Sequence, residues 1–384
     1  MISKVTDSVI LITEEDTNLD LFESRYPIPE GVTYNSYVIM DRSIAVTDTM
    51  DARKSEEWFS DLRKVLDGKE PDYLIVHHME PDHAANVKRF LETYPNAKVV
   101  GNEKTFKMML QFFDMDIEGR KVSVSDGSEL DLGEHKLKFV TTPLVHWPEV
   151  MMSYDAKDRI LFTADAFGRF GPADGSFDWE TGARRYYYNI VGKYGAQASN
   201  ALKKVGGFDI AMLCPLHGPV LKEDLGKYLG LYGKWTTYQW EVDGVFIAYN
   251  SVYGNTRDAA LLLAEELKAK GRVVEVMDVA RNHVSYAISN AFMYRDLVLA
   301  ATTYDGEIFP EMFLFLTELK DKKYGNRRVG VIDNGTWGPM AGKKMAEILA
   351  AMEGITVMEP KVSIKSSMKD EQRSQIKELA ANLS

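Results

Sequence analysis

Apolar and polar positions along this chain follow two alternating rhythms. Short apolar runs rich in β-branched residues mark strands, and apolar positions recurring every three to four residues mark helices. In the first part, residues 9–12, 36–40, 45–49 and 73–76 read as strands, with an amphipathic helix at Ser55–Leu66. A helix over 83–93, a strand over 98–100 and a helix over 103–113 follow. Residues 136–140 (Lys-Leu-Lys-Phe-Val) alternate as a half-buried strand does. Residues 159–163 and 208–213 complete the strands expected there.

Near residue 242 the grammar changes. Strands are expected at 245–249, 273–279, 296–302, 328–333 and 355–358, with helices at 257–270, 311–320, 341–352 and 369–382. Strand, loop and helix in regular succession predict an α/β domain with a doubly wound, parallel, five-stranded sheet. The expected domains are therefore 1–242 and 243–384, with no low-complexity linker between them.

Composition removes several classes of function. A formal charge of −11, with no long basic run, argues against nucleic-acid binding. No apolar run approaches a membrane span, and the N-terminal residues read as a strand without a secretion-type apolar core. The single cysteine, Cys214, leaves no material for disulfides, Cys-ligated clusters or structural Cys-type zinc sites. The expected location is the cytoplasm.

Chemistry concentrates at residues 78–83, His-Met-Glu-Pro-Asp-His, directly after the strand at 73–76. In extended backbone, side chains two apart share a side, so His78, Glu80 and Asp82 project together. Two carboxylates held side by side need a compensating cation, and a dimetal centre supplies it. Asp82 is equally placed to cap the helix that begins near His83. Other candidate ligands also follow strands by a few residues: His146, Asp165 and His217. Loops at the ends of rigid strands are where sites are commonly built.

A second constellation opens the C-terminal part. Ser251, Val252, Tyr253, Gly254, Asn255 and Thr256 lie between a strand and a helix, where hydroxyls and free amides form an anion site. Both the P-loop lysine and G-x-G-x-x-G are absent, so a nucleoside triphosphate or dinucleotide is not indicated. The spacing resembles the phosphate loop of flavodoxins, whose ligand is FMN. Two more loops follow the third and fourth strands: Thr303, Tyr304, Asp305 and Gly306, then Asn334, Gly335, Thr336, Trp337 and Gly338. Glycines there admit a planar ring, and Trp337 or Tyr304 can stack on it.

Taken together, H-x-E-x-D-H at 78–83, His146, Asp165, P-L-H-G at 215–218 and S-V-Y-G-N-T at 251–256 resemble the flavodiiron (A-type flavoprotein) family over essentially the whole chain. The resemblance implies a metallo-β-lactamase-like αββα sandwich followed by a flavodoxin-like domain. It implies FMN and two bridged irons, with His78, Glu80 and His146 on one iron, Asp82 and His217 on the other, and Asp165 between them. It places His83 outside the coordination, and His77 is read as incidental or as backing the ligands from behind. Glu80 marks the departure from the fold's zinc hydrolases, which carry histidine at that place. A zinc hydrolase with an appended flavodoxin domain is the alternative.

The implied activity is reduction of dioxygen to water or of nitric oxide to nitrous oxide, in detoxification. Tyrosines at 186–188 or Tyr194 are candidate proton donors. The resemblance also implies a separate electron donor (rubredoxin or a reduced deazaflavin) and a head-to-tail homodimer or a dimer of dimers. No nucleic-acid or membrane partner is expected.

Overall fold

In the computed structural model, which describes residues 1–384, the chain divides into two units. One comprises Met1–Tyr187 and Tyr194–Thr236, the other Tyr188–Lys193 and Thr237–Ser384. The junction thus precedes the 242/243 boundary expected from the pattern. Residues before the strand Val242–Tyr249 already belong to the second unit: the Glu241 amide donates to the Met293 carbonyl, and the Tyr238 ring lies 6.1 Å from that of Phe292. The short segment Tyr188–Lys193 joins them because Tyr188 stacks on Phe292 at 4.1 Å.

The first unit holds two sheets. One runs β1 (Ile2–Lys4), β2 (Val9–Asp16), β3 (Val32–Ile39), β4 (Ala45–Thr47), β5 (Tyr73–Ile75), β6 (Lys98–Gly101) and β7 (Lys121–Ser123) in spatial order. The other runs β8 (Glu129–Asp131), β9 (Lys136–Thr141), β10 (Met151–Asp155), β11 (Ile160–Phe162) and β12 (Met212–Cys214). Their inner faces share one core, in which Tyr37, Ile39 and Ile75 meet Leu137, Phe139, Ile160 and Phe162. The alternation read at 136–140 is the cause on the second sheet: Leu137 and Phe139 point inward while Lys136 and Lys138 stay in water. α1 (Ser55–Leu66) keeps its predicted bounds and buries Trp58, Phe59, Leu62 and Leu66.

From β4 onward the first sheet is parallel, as is the β11–β12 pair. Parallel neighbours need crossover connections, so the loops after β5, β11 and β12 all leave carboxyl ends of strands. Those loops carry the candidate ligands other than His146, which lies in the loop between β9 and β10.

Three local expectations change. The helix expected over 83–93 is two, Pro81–Ala84 and Val87–Thr93, separated at Asn86. The Asn86 side chain donates to the Met50 carbonyl at 2.6 Å and accepts from the Ser55 hydroxyl at 2.5 Å, which fixes the break. The strand expected at 208–213 shrinks to β12, because Phe208 stacks flat on Tyr154 (4.4 Å) in the turn before it. β10, buried along its whole length, had no alternation to reveal it.

The second unit is a parallel sheet in the order Val273–Asp278, Val242–Tyr249, Tyr294–Tyr304, Arg328–Asn334, Thr356–Val357. The fifth strand comes in two pieces: Val362–Ile364 pairs further along the same neighbour. Pro360, which has no amide to donate, lies between them. The helix Asn255–Ala269 packs its Ala259, Leu263 and Leu267 beside Ile376 and Leu379 of the helix Asp370–Asn382. No helix of the chain is long and apolar enough to cross a membrane.

Candidate functional site

The turn after β5 is set by Asp48. Its Oδ1 accepts the backbone amides of His77 (2.7 Å) and His78 (3.3 Å), and its Oδ2 meets the His77 ring at Nδ1 (2.7 Å). The other ring nitrogen of His77 lies 2.8 Å from the Ser153 hydroxyl. Both of its nitrogens are thereby engaged away from the candidate ligands. His78, one residue on, turns the opposite way.

Three donors gather around His78. Its Nε2 lies 3.2 Å from Glu80 Oε2 and 3.3 Å from Asp165 Oδ2, and His146 Nε2 lies 3.0 Å and 3.2 Å from the same two oxygens. A second group forms on the other oxygen of Asp165. His83 Nε2 lies 3.2 Å from Asp165 Oδ1, 3.2 Å from Asp82 Oδ2 and 3.1 Å from His217 Nε2, while His217 Nε2 lies 3.2 Å from Asp82 Oδ2. All seven residues are buried. Asp165 gives one oxygen to each group, the geometry of a bridge. His83, set outside the coordination by the resemblance, stands among the donors at the same spacing as the rest.

The residues fit metal ions by two observations. Metal–ligand bonds of about 2.1 Å put neighbouring donors about 3.0 Å apart in octahedral and about 3.4 Å apart in tetrahedral coordination, which brackets nearly all these separations. Both carboxylate oxygens of Asp82 and of Asp165 are also buried without a hydrogen-bond partner, a cost that a cation removes.

The electrostatics call for positive charge. Burial alone would raise the Glu80 carboxyl, but His146 and His78 outweigh it and hold the group below the usual carboxylate range. Burial is likewise overcome at Asp165 by the His78 charge, and its carboxyl sits well below that range. Against burial, contacts with Asp165 and Glu80 lift His146 to about 9. A cavity of about 230 Å³ opens beside Glu80 and Asp82, lined also by Phe22, Glu23, Tyr34 and Arg53. Drug-sized ligands occupy about 300–1,000 Å³, so the space suits a very small substrate.

In the second unit, Gly254 takes a φ of +96° just before the helix Asn255–Ala269, whose N-terminus has no side-chain cap. Its first-turn amides are open to an anion. Ser251 accepts the Gly254 amide at 3.0 Å, and the Thr256 and Thr302 hydroxyls meet at 3.1 Å. Tyr304 and Glu307 pair across a two-residue hairpin turn in which Asp305 and Gly306 both have positive φ. In the third loop, a Cβ on Gly335 would come within 2.9 Å of Pro339, so only glycine fits. The Asn334 side chain turns to Ser366, donating to its carbonyl (2.9 Å) and accepting its amide (3.1 Å); it holds the loop. Tyr253 and Trp337 are 92% and 96% exposed. These loops leave carboxyl ends of parallel strands, where such sheets bind ligands.

Residues 32–218 match the ODP family beta lactamase family and residues 247–378 the flavodoxin family. An uncharacterized protein of Methanocaldococcus jannaschii is 30% identical over 353 residues, covering 90% of this chain and 89% of that one. A nitric oxide reductase of Moorella thermoacetica is 26% identical over 366 residues, covering 93% and 91%. Among solved structures, rubredoxin oxygen:oxidoreductase from Desulfovibrio gigas superposes with a TM-score of 0.92 at 26% identity, covering 100% of this chain and 98% of that one. The chain belongs to the flavodiiron protein family. Membership brings FMN and a di-iron centre, and both the uncapped helix and the two donor groups fit them.

Sequence reasoning passed over two residues that serve this flavodiiron site. Asp48 fixes the turn, and the buried Glu149 meets His78 Nδ1 at 2.8 Å. Neither lies in a ligand motif, though Glu149 follows His146 by three residues. Of the candidate tyrosines, Tyr186 is fully buried with its ring 5.7 Å from that of His217, and its hydroxyl has no hydrogen-bond partner. Burial, then the negative charges of Asp165, Glu80 and Asp82, hold its proton in place.

Proposed function

We propose that this chain is a flavodiiron oxidoreductase that reduces dioxygen to water, nitric oxide to nitrous oxide, or both. The observation that carries this reading is the pair of donor groups sharing Asp165 beside a cavity of about 230 Å³, in a chain with a flavodoxin unit. When bound, FMN and the iron pair supply the electrons and the positions at which the gas is held. Mixed nitrogen and carboxylate ligation suits redox-active iron.

The chain's own residues do the rest. His78, Glu80 and His146 hold one metal position, Asp82, His83 and His217 the other, and Asp165 spans both. Tyr186, protonated and with its ring 5.7 Å from that of His217, is the candidate proton donor. Arg53, bound to Asp16 (2.9 Å) and to the Tyr34 hydroxyl (3.0 Å), closes the outer wall of the cavity. The open amides at Asn255 and Thr256 would hold the FMN phosphate, and Tyr253, Tyr304 and Trp337 would be the rings available to stack on the flavin.

Electrons come from a separate donor, a rubredoxin or a reduced deazaflavin, since the one cysteine is buried in a strand. We place the protein in the cytoplasm as a head-to-tail homodimer or a pair of such dimers, one copy's FMN serving the other's irons. A fully active monomer in sedimentation overturns that assembly.

The deciding experiment is metal and flavin analysis of purified protein, followed by anaerobic turnover of each gas with a chemical reductant. One FMN, two irons and consumption of dioxygen or nitric oxide are expected. Two irons with neither gas consumed overturns the activity, and zinc with thioester or lactam cleavage replaces it by a hydrolase.

A further inference from the structure

One buried carboxylate beside the donor groups takes no part in either of them. Glu149 is 1% exposed, and its Oε1 accepts the Met79 amide at 2.9 Å and faces His78 Nδ1 at 2.8 Å. Its Oε2 is buried without a hydrogen-bond partner. The loop that carries it is pinned independently: the Asn102 side chain donates to the Glu149 carbonyl at 2.6 Å, and Lys104 Nζ to the Pro148 carbonyl at 3.2 Å. The negative charge is therefore not needed to hold that loop, and the only side chain it faces in the donor groups is His78.

Elsewhere in the centre the outer nitrogens are treated differently. His217 Nδ1 faces the neutral Thr33 carbonyl at 2.7 Å. His83 Nδ1 is buried with no partner. A carboxylate on the outer nitrogen of an imidazole draws its proton and raises electron density on the inner one; a carbonyl does so less. Each group already has one carboxylate of its own, Glu80 or Asp82, and one oxygen of Asp165. Glu149 adds an anion to the first group only. Asp51, whose charge reaches Asp82 on the other side, is paired with Arg53 at 3.1 Å.

We infer that Glu149 is a positioning residue, acting through His78, that makes the two metal positions unequal. The His78–Glu80–His146 position favours the more oxidised iron, and the first electron from the flavin enters the Asp82–His83–His217 position. This rests on reading the centre as a di-iron site. A fixed order of reduction means that the half-reduced centre has its ferrous ion in one known place.

The test uses the iron-loaded, FMN-bound protein and Glu149→Gln, which keeps an oxygen for the Met79 amide and removes the charge. Readouts are iron content, a redox titration followed by electron paramagnetic resonance, and Mössbauer spectra of the half-reduced state. The expected result is two irons retained and the ferric preference of one iron lowered tenfold or more, about 59 mV per tenfold for a one-electron step. Glu149→Asp, which keeps the charge, should stay near the parent. Unchanged potentials in the Gln variant with both irons present overturn the inference. The parent protein gives an independent reading should the Gln variant lose iron or fail to fold. Half-reduced, it should show one trapped ferric and one trapped ferrous ion, and a signal averaged over two equivalent irons overturns the inference. Parent protein without iron overturns the di-iron reading as well, and so separates the two failures.

Discussion

In the first unit seven donor side chains are buried close together near strand ends. In the second, the loops proposed to meet the flavin leave Tyr253 and Trp337 almost fully in water. The difference follows from what each site must do. A metal centre gains from donors locked at bonding distance, because desolvated charges out of place are costly. A flavin that exchanges electrons with an outside donor needs an accessible edge, and stacking tolerates loops that adjust. The metal site should therefore fail by whole metal positions, and the flavin site by degrees.

Asp165→Ala should break this contrast most sharply. Removing the one carboxylate that serves both groups should empty both metal positions and abolish gas reduction. Flavin absorbance should stay at the parent level, and elemental analysis alongside it checks the result. Glu80→Ala should do less, losing or distorting the iron on the His78 side only; full activity in that variant would remove Glu80 from the ligands. Tyr186→Phe leaves every donor in place and should slow gas reduction at least tenfold, as loss of a general acid does, with iron and FMN content unchanged. Stopped-flow oxidation of the reduced protein measures it.

On the flavin side, Gly254→Ala forces a Cβ onto a φ of +96° and should weaken FMN binding by about 1–3 kcal/mol. Titration of flavin fluorescence against the flavin-free protein reads this directly. Trp337→Ala should cost least, about 0.5–1.5 kcal/mol of stacking, with iron content untouched. A larger loss there than at Gly254 would mean that the ring, and not the phosphate turn, anchors the flavin.

Much of the fold was legible because its cause is local. The alternation at 136–140 follows from one wet face and one dry one, and Ser55–Leu66 shows its apolar stripe plainly. What stayed hidden depended on partners far along the chain. Asn86 breaks a helix by reaching back to Met50, and β10 was invisible because burial on both faces erases periodicity. The same division runs through the site. The spacing of His78, Glu80 and Asp82 is a local property of extended backbone. The contrast between His77 and His78 is not, since it rests on Asp48 and Ser153.

By itself, then, the sequence determined the residue types, the strand-end pattern that collects them and the order of the two domains, because each is written in spacing and periodicity. Tertiary structure alone decided which oxygen of Asp165 faces which group, that His83 joins Asp82 and His217, and that Glu149 backs His78. These are contacts between segments tens of residues apart or more. Their distances are set by how two sheets pack, and no local rule of the chain encodes them.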